Sequence, residues 1–231
     1  MNYLFEPVER VTLPVINSDE LFPVSQIYCV GRNYADHAIE MGHDPSREAP
    51  FFFMKPAYSI LKDGELMEYP SASHDVHHEV ELVVALARGG RHIDVNDAMN
   101  LVYGYAVGID MTRRDLQAEA KEKSRPWEAG KTFLHAAPCS AIVPINETGE
   151  INFGSIQLNI NGSEKQKGDV NQMIWKVPEV ISRLSELFVL CAGDLIFTGT
   201  PAGVGPIEVG DKIQAEIENV GTLSISVGDA S

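Results

Sequence analysis

Glu79 and Glu81 stand two residues apart in the run His77-His78-Glu79-Val80-Glu81-Leu82, where the chain enters the Val- and Leu-rich stretch Val80–Ala87. A short apolar run of this kind reads as a buried strand. Residues i and i+2 of a strand face the same way, so two carboxylates stand side by side at the entrance to a hydrophobic core. Like charges that close are costly unless a proton or a cation lies between them. Asp110 ends a second apolar run, Tyr103-Gly104-Tyr105-Ala106-Val107-Gly108-Ile109-Asp110, and adds a third acid. Three carboxylates without a cysteine point to a hard cation, one Mg²⁺ or Mn²⁺ per chain, with positions left open for water and substrate. Most acids at strand ends are simply solvated. Here both runs are too apolar to be exposed, and no basic residue adjoins the glutamates in sequence. His74, His77 and His78 offer a zinc reading, but they lack the one-face helical spacing of a zincin and read as a loop.

Other residues could complete a reaction. His37 and Glu40 are three apart on an expected helix, so the carboxylate can orient the imidazole as a base for water. The bland reading is a surface His–Glu pair. Arg113-Arg114-Asp115-Leu116-Gln117 begins just after Asp110 and puts Arg114 and Gln117 on one helix face. An arginine forks a carboxylate, and an amide can hold an oxyanion. Thr198-Gly199-Thr200-Pro201-Ala202-Gly203-Val204-Gly205 lacks the Gly-Lys-Ser/Thr ending of a phosphate loop. Its backbone N–H groups and the Thr200 hydroxyl could grip a small carboxylate. Lys131 lies among apolar residues as either a site cation or a solvated loop lysine. There is no Gly-x-Ser-x-Gly elbow and no Gly-x-Gly-x-x-Gly after a strand, so neither serine acyl transfer nor a nucleotide cofactor is expected.

The elements must position these groups. The 231 residues are 44% apolar and carry a net charge of −15. That balance suits a globular chain that buries its own core, and it makes nucleic acid a poor partner. No apolar run approaches the roughly 18 residues of a membrane helix. An acidic N-terminus without a signal pattern, and three scattered cysteines, lead us to expect a cytoplasmic protein with reduced thiols.

Residues 1–24 read as an extended arm or edge strand, and residues 25–231 as one catalytic domain. Strands are expected at Gln26–Val30, Phe51–Met54, Val80–Ala87, Gln157–Ile160, Leu195–Phe197, Lys212–Ile217 and Leu223–Val227. Helices are expected at Tyr34–Met41, at Arg113–Lys123 behind a Thr112 N-cap, and at Pro178–Leu190, where Val177, Ile181, Leu184 and Phe188 form a stripe. Residues 43–50, broken by Pro45 and Pro50, read as a loop that could close as a lid. Asn161-Gly162 marks a hairpin turn. The pattern is α+β and strand-dominated, with a mixed, rolled sheet and a few peripheral helices rather than a doubly wound fold.

Several runs together resemble the fumarylacetoacetate hydrolase family. They are Val30-Gly31-Arg32-Asn33-Tyr34, Phe53-Met54-Lys55-Pro56, His78-Glu79-Val80-Glu81-Leu82, Asp110 through Gln117, Gly130-Lys131-Thr132-Phe133 and Thr198-Gly199-Thr200-Pro201. The single-domain length is similar to the acylpyruvase and fumarylpyruvate hydrolase branch. The resemblance implies a mixed β-roll of the family's C-terminal domain type and a homodimer. It implies metal ligation by Glu79, Glu81 and Asp110, and water activation by His37 with Glu40. Lys131 would be the cation near the scissile carbonyl. Arg32, Arg114, Gln117, Gly199 and Thr200 would be substrate or oxyanion contacts. The implied reaction is hydrolytic cleavage of a 2,4-diketo acid to pyruvate and a second acid such as fumarate. A decarboxylase or keto–enol tautomerase acting on oxaloacetate is the alternative from the same enolate chemistry.

Overall fold

The apolar runs on either side of the acids become neighbouring strands. Val80–Leu86 is buried at every position and pairs antiparallel with Val102–Ile109. The computed structural model describes residues 3–40 and 48–229. The two strands sit in the middle of an eight-stranded mixed sheet. Its path runs Phe51–Pro56, Gln26–Gly31, Leu195–Phe197, Val80–Leu86, Val102–Ile109, Ala137–Cys139 and Ile60–Lys62, with Val143–Pro144 also on Val102–Ile109. Leu195–Phe197 runs parallel to Gln26–Gly31, and Ala137–Cys139 parallel to Ile60–Lys62.

A strand buried on both faces needs cover on both sides. Val80, Leu82, Val84 and Leu86 point into the larger core. That core is closed by a five-stranded sheet whose inner positions include Ile156, Leu158, Ile213, Ala215, Leu223 and Ile225. These outer strands alternate buried with exposed side chains, as a one-sided sheet must. Val83 and Ala85 point the other way, into a second core with Ile27, Cys29 and Phe197. That core is covered by the antiparallel pair Thr12–Pro14 and Leu21–Pro23, which contributes Leu13 and Phe22. The expected N-terminal arm thus packs, from Thr12 onward, as a hairpin against the main sheet.

The helices are peripheral. Val177–Leu187 buries Val177, Val180, Ile181 and Leu184, on the order of 1.5–3 kcal/mol for each fully buried side chain. It stops three residues before the expected Leu190, because Phe188 is extended and Leu190 exchanges backbone hydrogen bonds with Gly90. The helix expected over Arg113–Lys123 spans Arg114–Glu122, and Thr112 is not its cap. Thr112 and Arg113 instead form a short strand against Val76–His78. The first helix is described over Ala35–Glu40. Its expected stop at Gly42 and most of the loop after it fall within residues 41–47, outside the described residues. The Asn161-Gly162 turn has both residues at positive φ, 51° and 78°, as a tight hairpin requires.

Candidate active site

Strand register assembles the acids. Val80 pairs with Ile109, and one step further the Asp110 N–H donates to the Glu79 carbonyl at 2.8 Å. Glu79 and Glu81 share the face of Val83, and Asp110 arrives from the adjacent strand. One carboxylate oxygen of each lies within 4.8 Å of the others, and all three residues are buried.

Three cations meet these acids, although none adjoins the glutamates in sequence. The Lys131 ammonium donates to Glu79 Oε2 at 2.9 Å, Asp110 Oδ2 at 2.6 Å and Thr112 Oγ1 at 2.6 Å. An ammonium has three protons, so Lys131 is fully engaged. It is 2% exposed, which disposes of the solvated-loop reading. Lys55 is 0% exposed. Its Nζ lies 2.8 Å from Asp110 Oδ1 and donates to the carbonyls of Met111 and Lys131. Arg114 Nη2 donates to Glu79 Oε1 at 2.5 Å, while Nη1 holds Gln117 Oε1 at 2.8 Å. That contact leaves the Gln117 amide NH₂ as a donor with no hydrogen-bond partner among the described residues.

The electrostatics separate the acids. Burial alone would raise the Glu79 carboxyl, but Lys131, Arg114 and His37 hold it well below the usual range. Burial pushes Glu81 well up, and the charges of Asp110 and Glu79 push it further. Burial would lower Lys131, yet Asp110 and Glu79 hold its pKa above the usual lysine value. The donor set fits a hard divalent ion. All the oxygens are carboxylates, the like charges are crowded, and buried Asp110 Oδ1 accepts no hydrogen bond despite the nearby Lys55. The histidine zinc reading fails. His77 Nε2 faces Asp75 and His78 Nδ1 faces Gln166, and no histidine belongs to a metal-competent group among the described residues. Among the described residues the acid triad is the group able to hold a metal.

The expected contact between His37 and Glu40 forms. His37 is 7% exposed, and its Nδ1 lies 3.3 Å from Glu40 Oε2. Glu40 is anchored in turn by the Gly203 N–H, at 3.0 and 3.1 Å to its two oxygens. Gly203 has φ +95°, and a Cβ there would sit 2.3 Å from the Lys165 carbonyl. Only glycine fits that position, so the Thr198–Gly205 loop is shaped to hold the base. Gly199, expected as a substrate contact, uses its N–H on Glu81 Oε2 at 2.7 Å, so it orients an acid instead. Thr200 Oγ1 accepts from Gln166 Nε2 at 2.8 Å.

Sequence reasoning passed over Lys55 and Gln166 as site residues. Lys55 had a signal: it is the one charge in the strand Phe51–Pro56, where its ammonium must find buried partners. Gln166 had almost none, being a buried position in an otherwise polar edge strand. Its amide accepts from Val80 N and donates to the Pro201 carbonyl, bridging the strand of the acids to the glycine loop.

One cleft joins these groups. Lys131 and the acids lie against Arg32, His37, Arg114, Gln117, Gly199 and Thr200, so every sequence-predicted site residue except Glu40, which stands behind His37, lines it. Phe51, Phe53 and Trp127 form its apolar wall.

The chain belongs to the fumarylacetoacetate (FAA) hydrolase C-terminal family, which matches residues 26–228. The crystal structure of fumarylpyruvate hydrolase from Pseudomonas aeruginosa, in complex with Mn²⁺ and pyruvate, is 47% identical with a TM-score of 0.96, covering 99% of this chain and 100% of that one. Mitochondrial oxaloacetate decarboxylase from Dictyostelium discoideum is 44% identical over 198 residues, 85% of this chain and 90% of the relative. Fumarylpyruvate hydrolase from Ralstonia sp is 42% identical over 187 residues, 81% of this chain and 97% of the relative. These relatives are enzymes named for small keto acids. Among the described residues no helix is long and apolar enough to cross a membrane.

Proposed function

We propose that this chain is a hydrolase that cleaves the carbon–carbon bond of an acylpyruvate, with fumarylpyruvate as the leading substrate. The observation that carries the reading is the meeting of a water-activating pair, His37–Glu40, with a metal-competent acid triad in one cleft. Hydrolysis requires a base for the attacking water, and that pair can supply it. The likeness to two fumarylpyruvate hydrolases supports it.

The residues divide the work. His37 Nδ1 faces Glu40, so the Nδ1–H donates a hydrogen bond to that carboxylate and Nε2 is left to take a proton from water. The hydroxide adds to the acyl carbonyl, and the bond to the pyruvyl methylene breaks. The bonding pair leaves as the pyruvate enolate, which is reprotonated at carbon by the imidazolium. Glu79, Glu81 and Asp110 would hold a divalent ion, which would supply positive charge to stabilise the enolate. The free Gln117 NH₂ donates to the developing oxyanion. Lys131 joins it only when Glu79 or Asp110 is satisfied by another cation. Arg114 and Thr200 orient the substrate's carboxylate end.

A second reading, oxaloacetate decarboxylase or tautomerase, is favoured by the 44% identical decarboxylase. Loss of the diketo-enol absorbance of fumarylpyruvate, measured with Mn²⁺ or Mg²⁺ and with EDTA, separates the two. Metal-dependent loss with stoichiometric pyruvate supports hydrolysis. No loss, with metal-dependent turnover of oxaloacetate, transfers the chain to the second reading. We further propose a cytoplasmic homodimer whose catalytic unit spans residues 25–231. Light scattering in solution tests the dimer.

A further inference from the structure

We infer that Lys121 and Arg32 form a second anion subsite at the rim of the cleft, which takes a carboxylate at the far end of the acyl group. The inference rests on the acylpyruvate reading and narrows it to dianionic substrates.

The charges within the cleft motivate it. Lys131, Lys55 and Arg114 are all engaged by Glu79 and Asp110, while Glu81 accepts from the Gly199 N–H. Lys121 and Arg32 also line the cleft, and neither has an ion-pair partner among the described residues. In a chain of net charge −15, two uncompensated cations converging on one cleft are a local inversion of the global field. Burial, then Arg114 and Arg32, lower Lys121 to about 8. An incoming anion would offset the repulsion that Arg114 and Arg32 exert on this ammonium.

The two cations are also held in place. Lys121 Nζ lies 5.0 Å from the centroid of the Trp127 ring, and Arg32 Cζ lies 5.4 Å from that of Phe51. The rings meet edge to face, 5.2 Å apart at 89°, so one aromatic pair carries both cations. Two backbone features fit this purpose. Phe51 lies over its cross-strand neighbour Gly31, where a Cβ would come 2.0 Å from the ring. Arg32 takes a left-handed φ of 57°, a conformation that non-glycine residues seldom adopt. Such strain persists where function requires the side chain. An apolar wall of Phe51 and Trp127 beside two cations suits an unsaturated acyl chain that ends in a carboxylate.

The test compares fumarylpyruvate with acetylpyruvate, whose acyl group is neutral, in wild type, Lys121→Gln and Lys121→Arg. Loss of a charged hydrogen bond should raise KM for fumarylpyruvate about 10–100-fold in Lys121→Gln and cut its preference over acetylpyruvate by that factor. Lys121→Arg should restore most of both. A preference unchanged in Lys121→Gln overturns the subsite and leaves the hydrolase reading standing. If wild type cleaves neither compound, the hydrolase reading has failed, and calorimetry decides the subsite alone. Fumarate should bind wild type at least about tenfold more tightly than crotonate, which lacks one carboxylate, and Lys121→Gln should erase the difference. Equal binding of the two acids to wild type overturns the subsite.

Discussion

Replacing Lys131 by Met tests whether the acid cluster is built around a cation. Methionine keeps an unbranched side chain but removes the ammonium, which also lies 4.9 Å from the Phe53 ring centroid. Glu79 and Asp110 each lose a hydrogen-bonded buried cation, at 2.9 and 2.6 Å. Lys55 still faces Asp110 and Arg114 still faces Glu79, so two positive charges remain against three negative ones. Breaking a buried pair by removing one partner costs about 3–5 kcal/mol. For a chain of this size about 2–4 °C accompanies each kcal/mol, which predicts a midpoint lowered by about 6–20 °C in EDTA. Mn²⁺ binding only to the native state contributes about 2.7 kcal/mol at a hundredfold excess over Kd. In wild type the Lys131 ammonium competes for the same oxygens. The metal-induced rise in midpoint should therefore be larger in Lys131→Met than in wild type. Thermal unfolding followed by circular dichroism, with EDTA and with Mn²⁺, reads both effects. A variant within about 2 °C of wild type in EDTA, or one with no larger metal response, would refute the account of Lys131 as the resident counter-charge.

Further outcomes follow from the same geometry. His37→Ala should lose about 10²–10⁴ in kcat while binding Mn²⁺ as wild type does; turnover within twofold of wild type would remove His37 from the reaction. Glu81→Gln keeps an acceptor for the Gly199 N–H and relieves one of three crowded charges. It should unfold in EDTA no earlier than wild type, yet show no midpoint rise with Mn²⁺. Asp115 sits in the first turn of the Arg114–Glu122 helix. Burial alone would raise its carboxyl, but Ser73 Oγ and the His74 and Leu116 N–H groups hold it below the usual 3.8. A depressed acid stabilises the fold above its unfolded pKa and loses that contribution as pH falls through its folded value. Urea midpoints of wild type and Asp115→Asn should accordingly differ at pH 7 and converge below pH 3.8. A gap that persists in acid would mean the side chain acts through shape rather than charge.

What the sequence determined by itself is local. Period-2 geometry put Glu79 and Glu81 on one face, three-residue spacing joined His37 to Glu40, and Asn161-Gly162 announced its hairpin. Each of these relations is fixed by backbone geometry within a few residues, so no tertiary knowledge is needed to read it. The strand-dominated class was legible for the same reason, from short apolar runs between turn signals. The tertiary structure decided the rest. The register of Val80 with Ile109 brought Asp110 to Glu79, and pairing register is a property of two strands, not of one. Lys55 and Lys131 reach the acids from distant segments, which is why no counter-charge was visible beside the glutamates. Gly199 could be read as a donor in a loop, but only the packed strand beneath it directed that N–H to Glu81. Thr112 had the composition of a helix cap. The strand Val76–His78 offered it a ladder instead, and Lys131 claimed its hydroxyl. Charge pairing across long separations obeys the low dielectric of the core rather than any spacing rule, so the chemistry of this site is written in contacts that a linear reading cannot contain.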